Sequence, residues 1–495
     1  MVSATDVTAG WLPTPSGSLA RRTWPRWARW SWWLLRHPTL PMTVAAAVAL
    51  GVSAGPVVLA LVVAVVTGLL VVWARRHPSS WDATAGRVLR GWWRSAWTYG
   101  VRWRAGMMFA GLGGRLDGAE WVPRVVRVRS GRWADRVTVR MVVGQQPADW
   151  ERRSDALAHA FGARSCLVRP RPGRPGYLDL RIGRQDPLAQ VVPALPIPGA
   201  DAVDLEGMPV GVTEDGAPWR LALAGGAHTL VAGETGAGKS SVIWSLLRGL
   251  APAIEAGWVQ VWACDPKGGM ELAPGAPLFS RLAYRPEAMV ELLEHAAAWM
   301  EARCDRLRGV TRVHTPSVEE PALVVLVDEL AHLTAYGPDP ALRRRAIAAL
   351  ALLLSAGRAP AVTVVGALQD PRKDVLSIRD LFPVRVALRM VEAQQTKLVL
   401  GDGAHDRGAA CELIPRALPG VGYVLLDGDH YPTRVRSAWV SDDDIAATAA
   451  HHCAPGRVDD DDGQAVDDGP AVVEVDGQAA NVVQLASGTN GTTRP

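Results

Sequence analysis

The strongest chemical signal in the sequence is a run with the spacing G-x-x-x-x-G-K-S, which consists of Gly233, Glu234, Thr235, Gly236, Ala237, Gly238, Lys239 and Ser240. An apolar segment, 228–232, precedes this run, and a segment with helical periodicity, 241–250, follows it. That strand-to-helix context is the one that a phosphate-binding loop requires. The glycines let backbone N–H groups turn inward around phosphate oxygens at the N-terminus of a helix. The run therefore predicts a site for a nucleoside triphosphate, and Ser241 completes the predicted binding set.

Two side chains of this loop have predicted roles toward the nucleotide. Lys239 reaches the β- and γ-phosphates, and the hydroxyl of Ser240 is a ligand of Mg²⁺, so the predicted cofactors are ATP and Mg²⁺. The composition supports the role of the lysine. Of the 53 Lys and Arg residues only four are lysines, at 239, 267, 373 and 397. A chain that otherwise uses arginine retains lysine where a compact ammonium meets a phosphate.

Two consecutive acidic residues end an apolar segment later in the chain. Residues 323–327 are all apolar, and Asp328 and Glu329 follow them directly. In open α/β sheets, ligands bind at the carboxyl ends of the strands, so a buried strand here delivers both carboxylates to the nucleotide. We predict that Asp328 holds the Mg²⁺ and that Glu329 polarises the attacking water as a general base.

A third apolar segment, 361–367, leads into Leu368, Gln369 and Asp370. A glutamine at this edge of the sheet can contact the γ-phosphate or the attacking water, which makes Gln369 a candidate catalytic residue. A glutamine that ends a strand is also commonly just a cap, and the sequence does not separate the two readings.

Four further motifs occur in order along the chain: 265–267 (Asp-Pro-Lys), 327–331 (Val-Asp-Glu-Leu-Ala), 355–359 (Ser-Ala-Gly-Arg-Ala) and 367–369 (Ala-Leu-Gln). Together with the phosphate loop they resemble the FtsK/SpoIIIE motor ATPases over about 221–440. The chain looks similar to the membrane-anchored members of actinobacterial conjugative elements, which are usually called TraB-like or FtsK-like transfer proteins. The resemblance implies a RecA-like motor that assembles as a homo-oligomeric ring, usually a hexamer, and pumps double-stranded DNA using ATP.

The resemblance also implies an arginine that reaches the nucleotide of the neighbouring subunit. The segment 382–386 (Phe-Pro-Val-Arg-Val) fits that place and makes Arg385 the candidate, with Arg389 as the second choice. Two departures from the family pattern are evident. Asp370-Pro371 stands where the family more often has Arg-Pro, and the winged helix that follows the motor in the family is not evident after 440.

The surrounding sequence predicts an α/β architecture in several parts. Strand-like and helix-like segments alternate over 221–440, which is typical of a mostly parallel sheet with helices on both faces. The prolines at 193, 196 and 198 mark 191–220 as a linker and the entry to the motor. Before it, 121–190 reads as a small α/β module, with a hairpin around Gly131, a helix over 149–161 and a strand over 177–182.

A long uncharged segment, 39–74, predicts attachment to the cytoplasmic membrane. Residues 53–56 (Ser-Ala-Gly-Pro) interrupt it, so we predict a transmembrane hairpin of two helices, about 40–52 and 57–73. Arginines flank both sides, in the basic, Trp-rich N-terminus 1–38 and in the amphipathic, membrane-proximal segment 75–120. By the positive-inside rule both ends lie in the cytoplasm. The predicted protein is multi-pass, with its motor in the cytoplasm.

Charge is distributed unevenly along the chain. The net charge is +10 over residues 1–110, +8 over 111–185 and −9 over 441–495. A basic N-terminal half favours a polyanionic partner, and the acidic tail 441–495, with few large apolar residues, is predicted to be disordered. The five cysteines share no C-x-x-C spacing, which argues against a structural zinc site or a disulfide framework.

Three other functions compete with conjugative DNA transfer. An FtsK-like ATPase of a protein secretion system also sits behind a membrane anchor, although such proteins usually carry several motors in tandem and this chain has one phosphate loop. A chromosome-partitioning translocase is close in mechanism. A transporter ATPase is disfavoured, because no Ser-Gly-Gly-Gln signature lies between the two nucleotide motifs. Stimulation of hydrolysis by DNA separates the first two classes.

Overall fold

The computed structural model describes residues 55–459 except 117–118, 224–226, 372–377 and 427, together with the separate residues 49, 52 and 53. The chain divides into two compact units. The first comprises residues up to 103 together with 128–132, and the second comprises 104–127 and the residues from 133 onward. The segment 1–38 and nearly all of the first predicted membrane helix, 40–52, lie outside the described residues.

The first unit is helical and begins with α1, Pro56–Arg76. Gly55 precedes this helix with a φ of 85°, a proline occupies its first turn, and none of its 21 residues is buried. It is the one helix in the described part of the chain that is long and apolar enough to cross a membrane. The predicted second helix, 57–73, is therefore present and runs from Pro56 to Arg76. The helices that follow are α2 (Pro78–Ala83), α3 (Ala85–Trp93), a π-helix (Arg94–Val101) and α4 (Trp103–Phe109).

The region predicted as a small α/β module, 121–190, contains strands and helices. Strands β1 (Gly114–Leu116) and β2 (Ala119–Trp121) pair with each other, and a four-stranded sheet follows in the order β3-β4-β6-β5. Its elements are β3 (Arg124–Ser130), β4 (Ala134–Arg140), α5 (Pro147–Glu151), α6 (Ser154–Ala160), β5 (Ser165–Pro170) and β6 (Tyr177–Gly183). The single helix predicted over 149–161 is wrong, because Arg153 leaves the helical region with a ψ of 12° and divides it in two.

The second unit also contains an eleven-stranded sheet that carries the predicted motor. Its strands lie in the order β17-β11-β10-β12-β13-β9-β14-β15-β16-β7-β8. In chain order they are β7 (Met208–Thr213), β8 (Pro218–Leu221), β9 (Thr229–Ala232), β10 (Val259–Cys264), β11 (Arg281–Ala283), β12 (Ala322–Val327), β13 (Val362–Leu368), β14 (Val384–Leu388), β15 (Val421–Leu425), β16 (Thr433–Ser437) and β17 (Val458–Asp459). Neighbours from β17 to β14 are parallel, and those from β14 to β8 are antiparallel.

Helices cover both faces of this sheet, as predicted. They are α7 (Lys239–Glu255), α8 (Pro286–Leu307), α9 (Pro340–Ala356), α10 (Ala393–Leu400) and α11 (Asp442–His451). Every residue of β12 is buried, and successive side chains of a strand point to opposite faces. Leu323 and Val325 accordingly join the core formed with α8 and α9, whereas Val324 and Leu326 join the core formed with α7.

Two predicted boundaries are wrong, because prolines in one segment and acidic residues in the other concealed short ordered elements. The predicted linker 191–220 contains β7 and β8, so the sheet begins at Met208. The predicted disordered tail begins with α11 and β17. Ser441 caps α11 together with Asp444, and acids are favourable in the first turn of a helix. Ile445 packs into the core. The part of the predicted tail from 460 to 495 lies outside the described residues.

The small module is joined to the large sheet by buried charges. Arg181 of β6 donates to Asp215 at 2.6 Å and lies 3.4 Å from the carboxylate of Glu214, in the turn between β7 and β8. Arg434 of β16 lies 2.8 Å from Asp186. Arg181 and Glu214 are 9 % and 7 % exposed, so this pairing is shielded from solvent. Burial raises the pKa of Glu214, and the neighbouring arginines oppose the rise.

Candidate nucleotide site

The predicted phosphate loop connects β9 to α7 and has the backbone that its glycines allow. Gly236 and Gly238 have φ angles of 72° and 101°, in the left-handed region that favours glycine. A Cβ on Gly238 would also lie 2.4 Å from the backbone nitrogen of Gly420. Both requirements exclude a side chain at Gly238. The N-terminus of α7 is therefore open toward the concave side of the loop, where backbone N–H groups bind anions.

The ammonium of Lys239 lies over the loop to which it belongs. Its Nζ donates to the carbonyl of Gly233 at 2.8 Å and to that of Glu234 at 3.4 Å. The residue is 8 % exposed. Burial lowers the pKa of Lys239, and the nearby carboxylates of Glu329 and Asp328 oppose this shift. The predicted phosphate-binding lysine is therefore in place beside the two predicted acids.

The parallel strands bring the predicted site residues to one edge of the sheet. In the β10–β12 pair, Cys264 lies opposite Val327, so Asp265 and Asp328 emerge side by side. In the β13–β9 pair, Leu368 lies opposite Ala232, so Gln369 emerges beside Gly233. These are the carboxyl ends of the strands, where ligands of open α/β sheets bind.

Asp328 is buried and is held by a lysine that the sequence analysis did not place in the site. Its Oδ2 accepts a hydrogen bond from Nζ of Lys267 at 2.8 Å. Burial raises the pKa of Asp328 more than Lys267 lowers it. Burial acts on Lys267 as well, but the hydrogen bond and the charge of Asp328 outweigh it and raise the pKa of Lys267. The ammonium therefore remains charged.

Glu271 extends this contact to the phosphate loop. Its Oε1 lies 3.6 Å from Nζ of Lys267, and its Oε2 accepts a hydrogen bond from Oγ of Ser240 at 2.9 Å. The two predicted Mg²⁺ ligands, Ser240 and Asp328, are thus connected through Glu271 and Lys267. Lys267 is one of the four lysines and stands in the Asp-Pro-Lys motif, which was the available signal. Nothing in the local sequence pattern pointed to Glu271.

Glu329 has the surroundings of a general base. The residue is 3 % exposed, its Oε1 accepts from the backbone N–H of Gln369 at 3.1 Å, and its Oε2 has no hydrogen-bond partner although it is buried. Burial raises the pKa of Glu329, and the bond from Gln369 opposes the rise. A buried carboxylate oxygen without a partner is costly, so this oxygen is ready to accept a proton or a hydrogen bond from water.

Gln369 is connected to both halves of the site. Its backbone N–H binds Glu329, and its side-chain Oε1 accepts from Oγ1 of Thr235 in the phosphate loop at 3.2 Å. The strand-end position alone left a simple cap as an alternative. The contact with Thr235 places this side chain in the site.

The two arginines of β14 have different positions. Arg385 pairs in register with Leu230, which precedes the loop, and its Nη1 lies 3.9 Å from Asp380. Its Nε is buried without a hydrogen-bond partner. Burial lowers the pKa of Arg385. Arg389 follows the carboxyl end of β14 and is ion-paired in its own chain with Glu234 of the phosphate loop.

The residues fit a bound Mg²⁺. The hydroxyl of Ser240 and the carboxylate of Asp328 are oxygen donors, which Mg²⁺ prefers, and the ion usually takes one or two protein ligands together with substrate phosphates. In agreement with this, the described residues contain no group of three His, Cys, Asp or Glu residues that could hold a metal ion alone. The free oxygen of Glu329 and the bridge from Ser240 to Asp328 form the polar part of this site.

A glycine-shaped phosphate loop between a parallel strand and a helix, with two acids on a neighbouring strand, defines a P-loop ATPase. Residues 202–410 match the FtsK/SpoIIIE family, and residues 65–184 match the actinomycete conjugal transfer protein N-terminal domain. Residues 202–410 of this chain therefore form a domain of the FtsK/SpoIIIE type. The resemblance found in the motifs is confirmed, and the match begins before 221, in agreement with the position of β7 and β8.

The similar proteins include a transfer protein, a DNA translocase and a conjugation coupling protein. The transfer protein TraSA of Streptomyces ambofaciens is 29 % identical over 65 % of this chain and 79 % of its own length. The DNA translocase FtsK of Streptomyces coelicolor is 30 % identical over 46 % of this chain, which spans only 26 % of that relative. Among solved structures, the conjugation coupling protein TcpA of pCW3 is 18 % identical, with a TM-score of 0.46, over 71 % of this chain and 98 % of that one.

Proposed function

We propose that this protein is a membrane-anchored, ATP-driven translocase of double-stranded DNA that serves conjugative transfer. The observation that carries the proposal is the combination in one chain of an FtsK/SpoIIIE motor with an N-terminal domain of the actinomycete conjugal transfer type. The nucleotide site supports it, because strand register brings Asp328 and Gln369 to the edge of the sheet at which the phosphate loop begins.

The side chains perform distinct parts of the hydrolysis. Lys239 exchanges its contacts with the loop carbonyls for contacts with the β- and γ-phosphates. Ser240 and Asp328 would hold Mg²⁺, which would neutralise charge on the phosphates. Glu329 accepts a hydrogen bond from the attacking water at Oε2 and takes its proton, which the raised pKa favours. Gln369 joins Glu329 to the loop, so a change at the γ-phosphate position alters a residue in contact with the base.

The proposed active form is a homo-oligomeric, RecA-like ring, a hexamer as the family resemblance implies, in which Arg385 acts on the nucleotide of the neighbouring subunit. Two observations support this role. The register with Leu230 keeps Arg385 away from the loop of its own chain, and its Nε is a buried donor without a partner. Arg389 is the weaker candidate for this role, because it is already ion-paired with the phosphate loop of its own chain.

The proposed anchor is a multi-pass one, formed by α1 and a preceding helix over about 40–52. Helix α1 supports this by its length and composition, and Arg75 and Arg76 in its last turn suit a cytoplasmic end. A hairpin would place the motor in the cytoplasm, on the same side as the N-terminus.

The experiment is a triplex-displacement assay with the full-length protein in lipid nanodiscs. An advancing translocase strips a third strand from duplex DNA, so we expect displacement that requires ATP, together with hydrolysis that duplex DNA stimulates at least about tenfold. Glu329→Gln should bind the DNA and displace nothing, whereas Glu301→Gln, at an exposed position on α8, should behave like the wild type. Hydrolysis that is indifferent to DNA would contradict the proposal and return the protein-secretion alternative.

A further inference from the structure

Lys267 lies between two carboxylates of the candidate metal site. Its Nζ is 2.8 Å from Oδ2 of Asp328 and 3.6 Å from Oε1 of Glu271. Glu271 in turn accepts from Ser240, the other predicted ligand. The ammonium of Lys267 therefore neutralises the carboxylates beside which a divalent cation would bind.

The backbone around Lys267 forms a turn whose ends are held by hydrogen bonds and whose residue Met270 is exposed. Asp265 is fully buried, and its carboxylate accepts from the backbone N–H groups of Lys267, Glu271 and Leu272 at 3.0, 2.9 and 2.9 Å. Between these anchors, Gly268 and Gly269 have φ angles of 71° and 83°, and Met270 is 80 % exposed. The backbone at both ends of this turn is thus held by Asp265, while the side chain of Lys267, 26 % exposed, has a path to solvent.

We propose that Lys267 is a built-in counter-ion of the metal site, which neutralises Asp328 and Glu271 until Mg²⁺ arrives with the nucleotide and is then exchanged for it. The ammonium and a divalent cation repel each other on the same carboxylate, so they occupy it alternately. Because of this exchange, a divalent cation that arrives without a nucleotide competes poorly with Lys267 for the carboxylates. Cation binding is thereby linked to nucleotide binding. This inference rests on the proposed role of Asp328 and is independent of DNA translocation.

The test measures cation binding without nucleotide, using Mn²⁺ as a paramagnetic probe and the loss of its free signal in electron paramagnetic resonance. Lys267→Met removes the counter-ion, and we expect the full-length protein to bind Mn²⁺ at least tenfold more tightly than the wild type. Lys267→Arg keeps the charge and should bind as the wild type does. Lys397→Met, a lysine change in α10, is the matched control and should also leave Mn²⁺ binding unchanged.

The location of the gained binding is checked with a second substitution. Adding Asp328→Asn to Lys267→Met should abolish the gain, and thermal melts should show Mn²⁺ stabilising Lys267→Met but not the wild type. If Lys267→Met does not fold, Lys267→Gln replaces it in the same experiment. Equal Mn²⁺ affinity in the wild type and the neutral variants overturns the proposal. A failure of triplex displacement with the Mn²⁺ gain intact overturns only the proposed DNA translocation.

Discussion

The guanidinium of Arg389 is ion-paired with the carboxylate of Glu234 inside the phosphate loop of the same chain. It also donates to the carbonyls of Thr235 and Arg416, at 3.4 and 3.3 Å. The side chain of Arg389 is 8 % exposed and that of Glu234 is 23 % exposed. The strand next to β9 therefore holds the loop from the side, and the geometry of the phosphate cradle depends on a residue far from the loop in the sequence.

Removal of this contact should loosen the phosphate loop. We expect Arg389→Met to destabilise the protein by about 1–3 kcal/mol, because the partly buried Glu234 loses its partner, and to weaken binding of a fluorescent ATP analogue. Arg344→Met, an exposed arginine of α9, is the control. In a double-mutant cycle with Glu234→Gln the losses should be less than additive, and strict additivity would show that the two residues act separately.

Lys239 and Glu329 should give opposite phenotypes. Lys239→Ala removes the positive partner of the β- and γ-phosphates, so ATP binding and hydrolysis should both be lost. Glu329→Gln keeps the shape of the base but not its basicity, and it should bind ATP while hydrolysis falls by roughly 10²–10⁴-fold. Equilibrium binding and phosphate release measured on the same preparations distinguish these outcomes. A normal hydrolysis rate in Glu329→Gln would show that another residue is the base.

Stability should fall in mild acid because of His228. Its Nδ1 accepts from the backbone N–H of Val364 at 3.0 Å, and burial lowers the pKa of His228 to about 4. The unfolded chain, with a histidine pKa of about 6.5, binds the proton first, so stability is lost as pH falls from about 6.5 toward 4. The loss at pH 5 should be about 2 kcal/mol. His228→Asn retains an acceptor, and its melting temperature should drop less between pH 7 and pH 5 than that of the wild type.

Arg385 should act across the interface between subunits. Arg385→Ala and Lys239→Ala subunits are each expected to be inactive, but a mixed ring contains interfaces with an intact lysine in one subunit and an intact arginine in the next. Hydrolysis should therefore recover partly on mixing, with a maximum at an intermediate ratio. Assembly is verified by mass photometry. Absence of recovery in confirmed mixed rings would remove Arg385 from the reaction.

DNA binding should depend on the backbone rather than on sequence. Contacts between arginines and phosphates release counterions, so affinity should fall on the order of a thousandfold between 50 and 200 mM salt if about six phosphates are neutralised. The measurement is competition binding at matched salt, with DNA from the transfer region of the proposed conjugative element against random duplex. It gives any remaining preference for DNA sequence. A preference of about 100-fold, or roughly 3 kcal/mol, would reveal a sequence-reading module, and the arginine-rich 121–190 would be examined first.

The sequence was sufficient for those parts of the site that depend on local pattern. The phosphate loop, the strand ending at Asp328 and Glu329, and the strand ending at Gln369 each combine periodicity with a polar terminus, and parallel pairing brings them together. The contact of Arg389 with Glu234 joins residues separated by 155 positions, and no pattern within either segment indicates it.

The boundaries of the motor failed for a related reason. Segment 442–459 is rich in Asp and Ala and poor in large apolar residues, which suggests disorder, yet α11 and β17 are ordered by contacts with elements much earlier in the chain. Likewise β7 acquires its partners only through β16 and β8. Edge elements are short and depend on tertiary partners, so their composition is a poor guide to their structure.

The pairing of Arg181 with the buried Glu214 and with Asp215 has a mechanical consequence. A translocase that pulls on DNA experiences an equal and opposite force. This force must be transmitted to a support if the DNA is to move relative to that support. A flexible connection behind the motor domain would convert part of each conformational change into rotation of the motor itself. Arg181 and Arg434 fasten the small module to the turn after β7 and to β16, so a rotation of this module against the large sheet would have to break these ion pairs, and the contact of Arg181 with Glu214 is shielded from solvent.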